Sequence, residues 1–216
     1  MPQIFHPSMN TISRLSIFGF VFVLILIGFI GWALARSPYQ TGQGVVRPQP
    51  IPFSHEHHVG DLGIDCRFCH DTVETHASAG MPSTEVCLNC HSVLFRDSPI
   101  LAQVHESQRN GTPIMWTRVH DLADYVYFHH GVHINAGIGC TSCHGKIDEM
   151  PLAYRAETLH MEWCLDCHRN PEQHVRPRDA VFDPHWVNTE AKEIDPELLL
   201  KAHDLQSRTQ CSYCHR

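Results

Sequence analysis

Five C-x-x-C-H motifs limit what this 216-residue chain can fold into. In such a motif two thiols form thioethers with the vinyl groups of a haem, and the histidine becomes the proximal ligand of the iron. The motifs use all ten cysteines of the chain, so none remains for a disulfide or a catalytic thiol. They comprise Cys66, Cys69 and His70; Cys87, Cys90 and His91; Cys140, Cys143 and His144; Cys164, Cys167 and His168; and Cys211, Cys214 and His215. The sequence therefore predicts five covalently attached haem c groups.

Two other kinds of site contain a C-x-x-C pair, namely a thiol–disulfide redox centre and half of a zinc site. Neither of them explains a histidine directly after the second cysteine of every pair. Haem attachment explains both the pairs and the histidines, and it is the interpretation that we adopt.

The composition leaves little apolar material for a core made by protein alone. The chain has 14 prolines, 13 glycines and 19 histidines, and a small domain with few apolar side chains buries too little surface to be stable. Five porphyrins would supply the missing apolar volume. We predict a multihaem cytochrome c fold of the class III-like kind, with loops and short α-helices around stacked haems and no sizeable sheet. We expect the haem-free chain to be unfolded.

Residues 15–35 form an uncharged apolar run flanked by Arg14 and Arg36. A helix of about 20 apolar residues crosses a bilayer core of about 30 Å. A cleaved signal peptide is the alternative, because Ala33-Leu34-Ala35 resembles a cleavage site. The run is longer than the usual signal peptide core, so we favour a single-pass anchor in the cytoplasmic (inner) membrane. Haem c is attached outside that membrane, which predicts a cytoplasmic tail at 1–14 and a periplasmic haem domain.

Residues 36–52 connect the apolar run to the first haem motif. Their prolines, at Pro48, Pro50 and Pro52, favour an extended polyproline-like strand without internal hydrogen bonds. We expect a Pro/Gly-rich linker that holds the pentahaem domain, residues 53–216, away from the bilayer.

Two parts of the haem domain repeat one pattern. Residues 53–91 and 128–168 each contain F-x-H-x-x-H, a C-x-x-C-H motif, Met-Pro and a second C-x-x-C-H motif. The second histidine of the opening pattern precedes the next cysteine by eight residues in the first part and seven in the second. This indicates duplicated two-haem modules, to which the fifth motif, at 211–215, is an addition.

The repeat also selects the distal haem ligands. His55, His58, His130 and His133 fit the duplicated pattern, and residues three apart on a helix lie on one face, so each pair can reach two neighbouring irons. His120, which precedes the second module, is the best fifth candidate. His203, His160, His174 and His185 are weaker alternatives. Met161 is an alternative of different chemistry, because a His/Met haem has a higher potential than a bis-His haem.

Several longer segments resemble one family. They are F-S-H-x-x-H at Phe53–His58, G-I-D-C-R-F-C-H at Gly63–His70, V-C-L-N-C-H at Val86–His91, V-H-D-L followed by D-Y-V-Y-F at Val119–Phe128, and M-E-W-C-L-D-C-H-R at Met161–Arg169. Together they resemble the pentahaem cytochrome c subunit of alternative complex III. The resemblance implies iron–sulfur and quinol-binding membrane subunits as partners. It also implies a periplasmic acceptor, either a cytochrome c, a blue copper protein or a terminal oxidase, and it strengthens His120 as a ligand.

Three functions compete at this point. An electron-transfer subunit needs haems with both axial positions filled and no catalytic residues. An independent membrane-anchored quinol dehydrogenase needs a quinol pocket, for which the sequence gives no pattern. A nitrite- or hydroxylamine-converting enzyme needs an open iron and nearby acid–base groups. The surplus of histidines favours the first. The mildly acidic chain, with a formal charge of −7, gives no basis for nucleic acid binding.

Overall fold

Short helices and loops make up most of the protein. The computed structural model describes residues 4–186, 195–202 and 205–215. The α-helices in these ranges are Ser8–Arg36, Pro38–Thr41, Cys66–Cys69, Thr84–His91, Ala102–Asn110, His130–Asn135, Thr141–His144, Met161–Arg169, Pro196–Ala202 and Cys211–Cys214. A π-helical segment spans Glu56–Asp61, and 3₁₀ turns span Pro99–Leu101, Ile147–Glu149, Pro171–Gln173 and Arg178–Ala180.

Extended pairing is confined, within the described ranges, to isolated bridges. These bridges join Val46 to Tyr154, Val126 to His215 and Ile138 to Val175. The predicted architecture of loops and short helices without a sizeable sheet is therefore confirmed.

The chain divides into two compact units, Met1–Gln43 and Gly44–Arg216. The first contains the helix Ser8–Arg36, which begins seven residues before the predicted start at Leu15. Its length and apolar composition are sufficient to cross a membrane. Near the end of this helix Phe29 stacks on Trp32, and the guanidinium of Arg36 lies 4.8 Å from the centre of the Trp32 ring.

Residues 36–52 differ from the extended spacer that the prolines predict. Pro38–Thr41 is a helical turn in the first unit. In the second unit the Gln49 side chain exchanges two hydrogen bonds of 2.9 Å with the backbone of Thr117, and Ile51 is buried. Residues 49–51 are thus packed parts of the larger unit, because an apolar side chain and an amide find partners there, whereas residues 44–48 are exposed.

Helix starts in the larger unit follow local capping. The Asp65 carboxylate accepts a hydrogen bond from the Arg67 N–H at 2.8 Å, as expected of an N-cap aspartate. Asp195 accepts from the Glu197 N–H at 2.9 Å, and Pro196 occupies the first helical position. Proline is favoured at that position, because its fixed φ suits a helix and its missing N–H would have no partner there in any case.

The apolar core of the larger unit is small. Val73, Ile134 and Val181 are buried together, and Cys140 packs against them. The other fully buried apolar side chains of the described ranges are Ile51, Val104, Met150 and Val175. So few buried side chains cannot offset the conformational entropy of a domain of this size, which agrees with a fold organised around bound cofactors.

Candidate haem sites

Each C-x-x-C pair lies on one helical turn. The turns Cys66–Cys69 and Cys211–Cys214 contain little else, and the other three pairs lie in Thr84–His91, in Met161–Arg169 and at the start of Thr141–His144. Residues three apart on a helix project from the same face, so both thiols of a pair can meet one porphyrin. All ten thiols are free, as attachment through thioethers requires.

The two F-x-H-x-x-H segments have the same geometry. In the first, the Phe53 ring lies edge-on to His55 with centroids 4.9 Å apart and stacks on His58 at 4.4 Å. In the second, Phe128 lies edge-on to His130 at 4.8 Å and stacks on His133 at 4.4 Å. The phenylalanine therefore orients both histidines of each pair, which explains why it belongs to the repeated pattern.

Backbone carbonyls fix the tautomer of many predicted ligands. A carbonyl oxygen can only accept, so a ring nitrogen within hydrogen-bond distance of it carries the proton. In each bond Nδ1 of a histidine donates to the backbone carbonyl of another residue. The bonds are 2.8 Å long for His58 to Ser54, His70 to Gly80 and His130 to Ala77, 2.9 Å for His133 to His129, and 3.1 Å for His91 to Leu94 and His215 to Tyr125. In the neutral form of each of these imidazoles Nε2 is the free nitrogen, the arrangement typical of a metal-bound histidine.

Three histidines that are not among the predicted ligands are held differently. Nδ1 of His57 lies 3.3 Å from the Asp61 carboxylate, and Nδ1 of His76 lies 2.7 Å from the Thr75 hydroxyl. Nδ1 of His129 accepts a hydrogen bond from the Val132 N–H. The Nδ1 atoms of these three histidines thus contact a side chain or a backbone N–H, whereas those of the six ligands above contact a carbonyl oxygen.

Three predicted distal histidines face predicted proximal histidines at one separation. Ring centroids are 6.1 Å apart for His58 and His91, 6.1 Å for His133 and His168, and 6.3 Å for His130 and His144. Bonds from a metal to an imidazole nitrogen are about 2 Å long, so two imidazoles on opposite sides of one iron have centroids about 6 Å apart. These pairs therefore fit an iron bound between them, and the equivalent pairs of the two modules agree with each other.

His55 and His120 are placed among other imidazoles. The pKa of His55 is lowered to about 4, mainly by burial and then by electrostatic interaction with His70 and His58. The pKa of His120 is likewise lowered to about 4, mainly by burial and then by electrostatic interaction with Arg155 and His130. Nδ1 of His55 and Nε2 of His120 are buried without a hydrogen-bond partner. Such a nitrogen costs about 1–3 kcal/mol, and a metal bound at Nε2 of His120 would relieve that cost there.

His120 does not share an iron with the third proximal histidine. The ring centroids of His120 and His144 are 4.3 Å apart, which leaves no space for an iron between them, whereas His130 has the required separation. Burial, followed by the charge of His120, lowers the pKa of His144 to about 3. His120 stays a predicted distal ligand, and its own iron is not identified by a ring pair.

The positions of the weaker candidate ligands give less information about iron binding. Met161 begins the helix Met161–Arg169 with an exposed side chain, and His133 already faces His168 of the same motif. Nδ1 of His185 lies 3.6 Å from the buried carboxylate of Asp148. His160 and His174 are half-buried, and His203 lies outside the described residues.

His105 is a further histidine with a buried ring nitrogen, and the sequence did not indicate it as a ligand. His105 lies on the helix Ala102–Asn110, and its Nε2 is buried without a hydrogen-bond partner. No haem motif or repeated pattern stands near it in the sequence, so its burial becomes visible only after the chain has folded. It joins His120 as a buried imidazole without an assigned iron.

Comparisons with known proteins agree with this geometry. A cytochrome c3 family model matches residues 132–216. The menaquinone reductase multiheme cytochrome c subunit of Nitratidesulfovibrio vulgaris is 31% identical over 177 residues, which cover 72% of this chain and 81% of that protein. The chain belongs to the multihaem cytochrome c family. Membership confirms the predicted fold class, and it implies that the thiol pairs attach haem c.

A buried arginine, Arg176, lies beside the third haem motif of this multihaem cytochrome. Arg176 is 6% exposed, and its guanidinium donates to the Thr141 hydroxyl and to the Asp183 carbonyl. It also lies 4.9 Å from the centre of the Trp186 ring. Thr141 is the residue after Cys140, so Arg176 holds the turn that carries the third pair of thiols. Sequence reasoning missed this role, because Arg176 is distant from that motif along the chain.

Replacing Arg176 with methionine is expected to destabilise the holoprotein by about 2–3 kcal/mol, because hydrogen bonds from a charged group are lost. Each kcal/mol corresponds to a change of about 2–4 °C in Tm for a domain of this size. Thermal unfolding followed by circular dichroism would measure the change. Arg178→Met is the matched control, since Arg178 is exposed and its replacement is expected to leave Tm almost unchanged. Equal Tm values for both variants would contradict the role of Arg176.

Proposed function

We propose that this chain is a membrane-anchored pentahaem electron-transfer subunit without a catalytic site of its own. The observation that carries the proposal is the set of opposed imidazole pairs, with centroids 6.1–6.3 Å apart. Two protein ligands on one iron leave no coordination position for a substrate. Such a site exchanges electrons, whereas nitrite or hydroxylamine conversion needs an open iron.

Haem c supplies reversible one-electron chemistry at its iron. The residues of this chain supply position and tuning. The thiol pairs hold each porphyrin on a helical turn, and carbonyls such as those of Ser54 and Ala77 orient the imidazoles of His58 and His130. A hydrogen bond donated by Nδ1–H also makes the imidazole a stronger electron donor to a metal. The protein thereby adjusts the potential of each site through axial ligand, hydrogen bonding and burial.

The helix Ser8–Arg36 serves in this proposal as an uncleaved anchor in the cytoplasmic membrane, with the haem domain on the periplasmic side. Its length and apolar composition support the anchor. The sequence resemblance to alternative complex III supports a place in a quinol-oxidising complex with iron–sulfur and quinol-binding membrane subunits. The acceptor in that case is a periplasmic cytochrome c, a blue copper protein or a terminal oxidase.

The relative from Nitratidesulfovibrio vulgaris favours a second candidate. Its name describes a subunit of menaquinone reductase, so electrons in that complex run toward a quinone. By similarity, this chain would carry electrons from a periplasmic donor to a quinone site on partner subunits. Both candidates place the chain between a quinone site and a periplasmic partner, and they differ in direction.

Low-temperature EPR of the oxidised, purified full chain tests the electron-transfer proposal. We expect low-spin ferric signals for every haem, because each iron has two protein ligands. A high-spin signal equal to one iron per chain would mean an open coordination position and would contradict the proposal. Its stoichiometry is calibrated against total haem from the pyridine haemochrome spectrum of the same sample.

The role of partners and the direction of transfer need a second experiment on the native complex. We expect a menaquinol analogue to reduce the haems in the complex and to leave those of the isolated chain oxidised. Reduction of the isolated chain at the same rate would indicate an independent quinol dehydrogenase. Quinone reduction by a reduced periplasmic donor, without the reverse reaction, would favour the menaquinone reductase candidate.

A further inference from the structure

We propose that the five haem motifs are arranged in space in the order second, first, third, fourth and fifth, so that the second and fifth motifs are the two ends of the electron path. This inference rests on the proposed electron-transfer function and adds where electrons enter and leave the chain. It differs from the order of the motifs in the sequence, where the first motif would be an end.

The second motif is joined to the first through one short segment. His58 faces His91 of the second motif at 6.1 Å. His55, three residues earlier, lies edge-on to Phe53 at 4.9 Å, as His130 lies edge-on to Phe128 at 4.8 Å. The repeat therefore assigns His55 to the first motif, as His130 is assigned to the third.

The first motif is joined directly to the third. The side chains of Cys66 and Cys140 are close neighbours. The Arg67 guanidinium, between the cysteines of the first motif, lies 4.3 Å from the centre of the Phe182 ring. The adjacent Val181 carbonyl accepts a hydrogen bond from the Cys140 N–H. The first cysteine turn therefore packs on the third, with no other motif between them.

The backbone adds a second connection between the two modules. His130, which faces His144 of the third motif, donates its Nδ1–H and its backbone N–H to the Ala77 carbonyl at 2.8 and 3.2 Å. The Gly131 N–H donates to the His76 carbonyl at 3.1 Å. Residues 76 and 77 follow the first motif and precede the second. The ligand helix of the third motif is thus anchored on the loop after the first motif.

The third motif is joined to the fourth by the helix His130–Asn135. His130 on this helix faces His144 of the third motif, and His133 faces His168 of the fourth. One helical turn therefore holds ligands for two successive motifs.

The fourth motif is joined to the fifth near the C-terminus. The Ser207 hydroxyl, four residues before Cys211, donates to the His168 carbonyl at 3.0 Å. These four links give a linear order in which the duplicated modules meet at their first motifs, and the added fifth motif extends one end.

Pulsed EPR on the reduced holoprotein with bound nitric oxide tests the order. Low-spin ferrous bis-His haem is diamagnetic, whereas a ferrous haem that has lost its distal histidine binds nitric oxide and carries one unpaired electron. The double variant H55A/H130A places two spins on the first and third motifs, and H58A/H130A places them on the second and third. The single variant H130A, with one spin, is the control for coupling between molecules.

We expect a dipolar coupling several-fold stronger for H55A/H130A than for H58A/H130A. The reverse ranking would overturn the proposed order, because it would place the second motif between the first and the third. Should either variant fail to incorporate five haems, H130A/H133A and H58A/H133A provide a second test, with the first of these expected to have the stronger coupling. The measurement uses no quinol or partner, so a wrong order is distinguishable from a wrong function.

Discussion

Replacing His133 with alanine is expected to convert one of the five haems from low-spin to high-spin while all five stay attached. His133 faces His168 at a centroid distance of 6.1 Å, and its Nδ1–H donates to the His129 carbonyl, which directs Nε2 toward the iron position. Alanine removes that ligand and preserves the helix, because alanine has the highest helix propensity. Attachment depends on Cys164 and Cys167, which the substitution does not touch.

Low-temperature EPR on the oxidised variant would detect the new high-spin iron, and a pyridine haemochrome assay would count the attached haems. His129→Asn is the matched control. His129 lies in the same segment and caps the helix by accepting from the Val132 N–H, and asparagine is among the best N-cap residues. We expect that variant to stay fully low-spin. A low-spin spectrum for H133A would refute His133 as a ligand and would direct attention to Met161 as the ligand in its place.

Much of the fold class was predictable, because each haem motif consists of residues that are close together along the chain. A cysteine pair with the following histidine spans one helical turn, and the turns at Cys66–Cys69 and Cys211–Cys214 form where the motifs stand. The F-x-H-x-x-H repeat also predicted equivalent geometry, and the rings of Phe53 and Phe128 contact their histidines almost identically. Local patterns of this kind survive in the fold, because neighbours along a helix fix them.

The pairing of ligands and the order of the motifs were not predictable, since both depend on contacts between distant residues. No local pattern indicates that Cys66 contacts Cys140, or that Arg176 holds the turn after Cys140. The linker shows the same limit. Its prolines predict an extended strand, but burial of Ile51 is a property of the folded domain. His105 and His120 have buried ring nitrogens without a hydrogen-bond partner, a feature that only the packed structure reveals.

Removal of the third haem, by Cys140→Ala with Cys143→Ala, is expected to abolish most of the stability of the haem domain, which for a protein of this kind is about 5–15 kcal/mol. Cys140 packs against the buried cluster of Val73, Ile134 and Val181. A porphyrin attached there would complete a core that the protein alone fills poorly. We expect no folded four-haem protein to be recovered from the periplasm, as judged by haem staining and circular dichroism.

The same double substitution at the fifth motif, Cys211→Ala with Cys214→Ala, is the matched comparison. Cys211 is exposed, and the fifth motif makes its backbone contacts through Val126 and Tyr127, away from the buried cluster. We therefore expect a folded four-haem protein with a lower Tm. Both variants remove one haem and two thiols, so a difference between them measures where the porphyrin lies in the core. Equal recovery of the two would mean that haem count, rather than position, determines stability, because the cluster around Cys140 would then contribute nothing specific.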